Sequence, residues 1–291
     1  MSILVQYLKN LKLMKKLILI LLSFSISSFA QKNVENVYTE GSELFAKRNY
    51  TEAYPLAQSY VKSCPDSAKG YVLKGNIEMI LNNLDDAMQS LNTAIKLDPR
   101  NSKAYSSRGV VKTLMQTPET AIDDFNKAIE LNPMDANSYS SLGAVYMQMN
   151  KPELAFQNLN KAIEIDPNYE EAYRNRGSFY YYTGDTVNSL LDLNKAVELN
   201  PEDPAVFNTR GALYKEMGKY KEAINDYNRA LELNKNDAEA FCRRGIAYLS
   251  LGNYDKAVQD IEFGIKLNQS LEQYIKKYLD EAKEKRQGIN K

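Results

Sequence analysis

Residues 136–167 read ANSYSSLGAVYMQMNKPELAFQNLNKAIEIDP. Tyr139, Leu142, Gly143 and Tyr146 fall at i, i+3, i+4 and i+7, so they share one face of a helix. Asn150-Lys151-Pro152 interrupts that helix. Leu154, Ala155, Leu159, Ala162 and Ile163 then recur at helical spacing, and Asp166-Pro167 ends the second helix because proline lacks an N–H and clashes with the preceding turn. The stretch is a pair of helices. The same pattern recurs on both sides of it every 34 residues: Gly41, Gly75, Gly109, Gly143, Gly177, Gly211 and Gly245 keep the interval without insertion or deletion. A fixed period of this length marks a repeat architecture.

Other positions keep the same phase. Four residues before each glycine stands a large side chain (Val37, Tyr71, Tyr105, Tyr139, Tyr173, Phe207, Phe241), and small residues follow at Ala53, Ala87, Ala121, Ala155, Ser189, Ala223 and Ala257. Glycine inside a helix costs about 1 kcal/mol against alanine, so seven of them at one phase predict a contact too close for a methyl group. With Ala128 and Pro133 of the third unit, and Tyr214, Tyr220 and Ala230 of the sixth, the chain resembles the tetratricopeptide repeat family. The resemblance spans residues 34–271, in units starting at 34, 68, 102, 136, 170, 204 and 238. It implies an all-α, right-handed α-solenoid superhelix of seven helix-turn-helix repeats, with the first helix of each pair lining a concave groove that binds peptides or protein segments.

The end units depart from the pattern at Val37, Tyr60, Gly264 and Gln269, as expected where one side of a stack faces water. Leu271, Tyr274, Ile275, Tyr278, Leu279 and Ala282 form an apolar stripe, read as a capping helix over 271–286 with a flexible tail at 287–291. At the other end, four lysines, the apolar run Leu17–Leu22 and Ser28-Phe29-Ala30 describe a secretory signal peptide over 1–30, cleaved after Ala30, with Met14 an alternative start to Met1. Bacterial export, to the periplasm or outside the cell, is the expected localisation. The alternatives are an uncleaved N-terminal membrane tether and a cytosolic co-chaperone.

Removing four lysines from 37 basic residues leaves 33 against 37 acidic ones, a net charge of −4 that does not suit nucleic acid. The chain has no histidine and two cysteines, Cys64 and Cys242, which are expected to be small buried hydrophobes. Catalytic residues, cofactors and metal ligands are therefore expected to be none. Asp85-Asp86, Asp123-Asp124 and Glu170-Glu171 are read as first-turn carboxylates favoured by the helix dipole. The chain is thus expected not to be an enzyme.

The repeats also act as internal copies of one another. Arg108, Arg176, Arg210 and Arg244 precede their glycines, and sixteen residues after them stand Asp124, Asp192, Asp226 and Asp260. In the fourth unit, Leu142 is matched by Asn158. Four structural ion pairs are predicted. By the resemblance, groove positions map to Ser140, Met147, Gln148, Arg174, Ser178, Tyr181, Tyr182, Asn208 and Lys215, with the tyrosines beside Arg174 and Met147 the most suggestive of binding. The expected function is an exported protein–protein interaction scaffold. The second reading is a glycan-binding or cell-envelope assembly factor, with tyrosines stacking on sugars.

Overall fold

The computed structural model describes residues 34–289, and every regular element among them is helical. The expected signal peptide and residues 290–291 lie outside the described residues. The chain divides into two compact units, one ending at Pro133 and the other starting at Met134. The first holds α1 (residues 34–46), α2 (Tyr50–Ser63), α3 (Ala68–Ile80), α4 (Leu84–Leu97), α5 (Ser102–Leu114) and α6 (Pro118–Leu131). The second holds α7 (Ala136–Gln148), α8 (Pro152–Ile165), α9 (Glu170–Tyr182), α10 (Thr186–Leu199), α11 (Pro204–Glu216), α12 (Tyr220–Leu233), α13 (Ala238–Ser250) and α14 (Tyr254–Leu267). A 3-10 turn, Gln269–Leu271, and α15 (Glu272–Ile289) complete it.

Each first helix ends in a residue of left-handed conformation: Arg48, Asn82, Gln116 and Asn150 in the earlier repeats, Gly184, Gly218 and Gly252 in the later ones. The next amide then reaches back to the helix, as Lys151 N–H does to the Tyr146 carbonyl at 2.8 Å, which satisfies a carbonyl the helix end would leave unpaired. Pro118 and Pro152 begin their second helices at the first turn, where the missing N–H costs nothing.

The phased glycines lie where the two helices of a pair meet. A Cβ at Gly75, Gly109, Gly143, Gly177, Gly211 or Gly245 would stand 2.7–2.8 Å from a side-chain carbon of Leu91, Phe125, Leu159, Leu193, Tyr227 or Ile261 respectively. Gly41 is looser, 3.3 Å from Leu56 Cβ. The small residues at the next phase have the same cause. Two exceptions compensate locally. Tyr60 replaces the usual alanine, and Gly70 opposite it replaces the alanine, serine or valine found there in later repeats; its Cβ would meet the Tyr60 ring at 2.5 Å. At Gly264, a Cβ would overlap Cys242 Sγ and lie 2.7 Å from the Ala238 carbonyl oxygen. Cys242 is accordingly buried, whereas Cys64 is only half-buried, against expectation, because it sits at the end of α2.

The arginines sit one residue before these glycines. Arg108 Nε and Nη2 donate to Asp124 Oδ2 and Oδ1 at 2.8 and 2.6 Å, and Nη1 donates to Asn92 Oδ1 of the preceding pair at 2.7 Å. Arg176, Arg210 and Arg244 repeat this on Asp192 and Asn160, Asp226 and Asn194, and Asp260 and Asn228, all at 2.7–2.9 Å. Each guanidinium carbon also lies 5.4–5.7 Å from the centre of the aromatic ring three residues earlier. Where Leu142 replaces arginine, the Asn158 amide donates to its own helix at the Leu154 carbonyl. The second repeat uses Lys74 instead, bonded to Ser90 and to the fully buried Glu78. Asp123-Asp124 is not a first-turn pair: α6 starts at Pro118, so these residues fall in its second turn, where Asp124 faces Arg108.

The helix α15 covers the open side of α13 and α14 with Tyr278, Leu279 and Ala282, packed against Leu249, Ala257 and Val258. Tyr274 does not join this seam and is exposed, because it lies one residue off the Ile275–Tyr278–Leu279–Ala282 stripe. The helix also runs on through residues 287–289 of the expected tail, across Gly288.

Two measurements test these contacts. Gly70→Ala is expected to cost about 1–3 kcal/mol from overpacking, and that cost to disappear in a Tyr60→Ala background. A urea-unfolding double-mutant cycle with no coupling between the two sites would refute the pairing. Asp192→Ala is expected to cost about 3 kcal/mol by stranding a largely buried guanidinium, while Arg176→Leu with Asp192→Asn, the fourth repeat's own solution, recovers most of it. Equal losses in both variants would show that the bridge is not what matters there.

Candidate interaction surface

The groove positions taken from the resemblance fall on α7, α9 and α11 of the second unit, and they differ in availability. Ser140 is fully buried and accepts a hydrogen bond from Asn175 Nδ2 at 3.0 Å, so it is closed to a partner. Ser178 Oγ turns back to the Arg174 carbonyl at 2.9 Å. Asn208 Nδ2 donates to Asp237 Oδ2 at 2.7 Å, and Lys215 pairs with Glu216 at 2.8 Å. Met147 packs on the Ala155–Leu159–Phe179 cluster and is half-buried, as is Tyr181, whereas Gln148 is exposed. Tyr182 is 64% exposed, with its hydroxyl on Asn150 Oδ1 at 3.2 Å. Met147, Asn150, Pro152, Phe179 and Tyr182 together line a narrow crevice.

Arg174 is held by acids on three sides: Glu171 at 3.0 Å, Asp203 at 3.6 Å and Glu170 at 3.7 Å. The last contact is too long for a hydrogen bond, and it leaves Glu170 Oε1 and Arg174 Nε buried without one among the described residues. Burial first, then the neighbouring Asp203, pushes the Glu170 carboxyl up to about 7, against the pull of Arg174. The helix dipole therefore does not account for Glu170, although α9 does begin there. Glu171 accepts from the Tyr169 hydroxyl, which in turn accepts from Asn137 Nδ2, so this polar chain ties α7 to α9. A cationic residue at the Arg174 phase suggests anion binding, but the surrounding carboxylates neutralise it.

Two further features carry no sequence expectation. Asn92, Asn160, Asn194 and Asn228 complete the arginine bridges, and their own 34-residue spacing was the available signal. Tyr227 stands where five other repeats carry Leu, Phe or Ile and the first carries Ala57, and its hydroxyl is buried with no hydrogen-bond partner among the described residues. Among the described residues no group of carboxylates and cysteines is placed to hold a metal ion, and no helix is long and apolar enough to cross a membrane.

The raised Glu170 pKa has a definite sign. The folded state holds the proton more tightly than the unfolded chain, so stability falls as pH rises from about 4.5 to about 7 and is level above that. Glu170→Gln is expected to stabilise the protein by about 1–2 kcal/mol above neutrality, after solvent screening at this partly open site, with the gain vanishing in acid. A gain of equal size at both ends of a pH series of melting curves would exclude this origin.

Residues 75–115, 119–150 and 211–252 match the family described as TPR repeat, and residues 136–169, 238–271 and 193–225 match tetratricopeptide repeat descriptions. No curated protein matches the chain. Among solved structures, the fold is similar to the APC/C hetero-tetramer Cut9-Hcn1, with 18% identity and a TM-score of 0.75 over 83% of this chain and 48% of that one. The chain thus spans about half the length of that relative. It is also similar to a tetratricopeptide repeat protein from Parabacteroides merdae, with 19% identity and a TM-score of 0.61 over 86% of this chain and 98% of the other. A thermophilic TPR protein from Thermus thermophilus, TTC0263, gives 21% identity and a TM-score of 0.59 over 63% and 100%. At such identities the likeness is one of fold. The matched segments together cover more than half of the sequence and take in five of the six close-contact glycines, and the chain belongs to the tetratricopeptide repeat family.

Proposed function

We propose that this protein is an exported, non-enzymatic scaffold that holds a peptide or protein segment on the first-helix face of its second unit. Membership of a repeat family of interaction scaffolds supports the class of function. The observation that carries the location is the contrast along that face. Its charged positions are already neutralised by neighbours, as at Arg174 and Lys215, while Tyr181, Tyr182 and Met147 offer apolar surface that is half-buried or exposed. Tyrosines with methionine give large contact area at low entropic cost, the composition favoured at interface centres. A secretory leader over residues 1–30 would place this surface outside the cytoplasm.

A photo-crosslinking residue at position 181, expressed in the native cell, is expected to capture one protein in the envelope fraction. The same residue at position 119, on an exposed second-helix site, is expected not to. Tyr181→Ala with Tyr182→Ala should weaken the interaction by about tenfold or more with the melting curve unchanged. Capture confined to cytosolic proteins would remove the export argument and favour a co-chaperone. Tyrosine-dependent binding to a polysaccharide array, without protein capture, would favour the glycan reading instead.

A further inference from the structure

The last helix pair carries a cleft that the repeat pattern does not require. It lies between α13 and α14, with a volume of about 630 Å³, and its walls are Phe241, Tyr248 and Phe263. Phe241 and Phe263 meet edge to face with ring centres 4.7 Å apart. Phe263 is the departure. The same phase holds Ser59, Thr93, Lys127, Lys161, Lys195 and Arg229, all polar. Of these, Lys127, Lys161, Lys195 and Arg229 each pair with a glutamate three residues on. Capping does not explain the phenylalanine, because α15 seats on Leu249, Ala257 and Val258, and Phe263 stays 41% exposed.

The charges around the cleft are unequal. Arg244 is committed to Asp260 and Asn228, and Glu262 to Lys283 of α15 at 2.7 Å. Lys256 lies 5.2 Å from the Tyr248 ring centre. Neither Lys256 nor Lys266 has a carboxylate partner among the described residues, yet both line the cleft. The carboxylates present are thus matched by other cations, and two ammonium groups remain beside an aromatic floor. The volume suits a small molecule rather than a protein segment.

We infer that this cleft binds a small amphipathic anion: a flat apolar body laid on Phe241, Tyr248 and Phe263, with its carboxylate or sulfonate at Lys256 and Lys266. Apolar burial on the rings supplies the attraction, and the lysines select the charge. The site is separate from the first-helix surface proposed for the protein partner and does not depend on it.

Calorimetric titration of the full chain with 2-naphthoate tests the assignment. One saturable site is expected. Phe263→Lys, which installs the residue of three other repeats, should weaken it by about tenfold or more, and Lys266→Glu by about threefold or more. Uncharged 2-naphthalenemethanol should bind about tenfold more weakly than the acid. Absence of saturable binding, or affinity unchanged in both variants, would overturn the site. Equal affinity for acid and alcohol would overturn the assigned role of the lysines. Lys266→Glu alters an exposed position, so it keeps the test decisive even if Phe263→Lys perturbs folding.

Discussion

Two helix backbones approach only as closely as the atoms between them allow. In six pairs of this chain, a Leu, Phe, Tyr or Ile from the second helix occupies the space that a Cβ of the first would need. That contact fixes how the two helices slide past one another. Arginine sits one residue before the glycine, and aspartate sits one residue before the side chain that fills the glycine's space. Once the apolar contact is made, the two charged groups are level, and a two-pronged bridge forms with little further ordering. The third partner, an asparagine on the preceding pair, then ties neighbouring repeats together through the same guanidinium. The apolar contact and the polar bridge therefore share one geometric origin. A bridge placed on helices free to slide would have to offset far more side-chain entropy.

Much of this was legible in the sequence because a repeat supplies its own comparison. The helix pairs, the close contact at each glycine and the arginine–aspartate matching all follow from residues that recur at one phase. What stayed hidden lies off that phase or depends on three dimensions. Asn160 repeats as faithfully as Asp192, but its partner belongs to the next repeat, and matching positions within one repeat cannot find it. Ser140 occupies an outward phase yet is covered by Asn175 of the following first helix. Glu170 and Glu171 look alike in the chain. Glu171 accepts from Tyr169 two residues earlier, while burial beside Asp203 at the start of α11 leaves Glu170 Oε1 short of a hydrogen bond. Burial of a polar residue depends on its neighbours' bulk, and periodicity does not report bulk.

The departures from the repeat separate into two kinds. Some are matched by a second change that restores the fit: Tyr60 with Gly70, Cys242 with Gly264, Leu142 with Asn158. Their explanation is complete within the packing, and the idea that end repeats are merely irregular is too weak for them. Tyr60 is not decoration on a fraying end but one half of a two-residue substitution whose other half lies on the next helix.

The second kind has no counterpart. Val187 and Leu191 stand exposed on α10 where the other repeats carry polar residues or a proline, and nothing in the structure explains them. Phe263 stands exposed where every other repeat has a hydroxyl or a cation. Phe263 keeps an edge-to-face contact with Phe241, but the 41% of it left in water gains nothing for the fold, and its copies fill the same phase with polar groups. In a protein whose neighbouring repeats solve the same packing problem six times among the described residues, such a residue is measurable against its own copies. A repeat array can carry recognition only at positions the stacking contact leaves free, so the uncompensated departures, rather than the most regular residues, are where selectivity has room to reside.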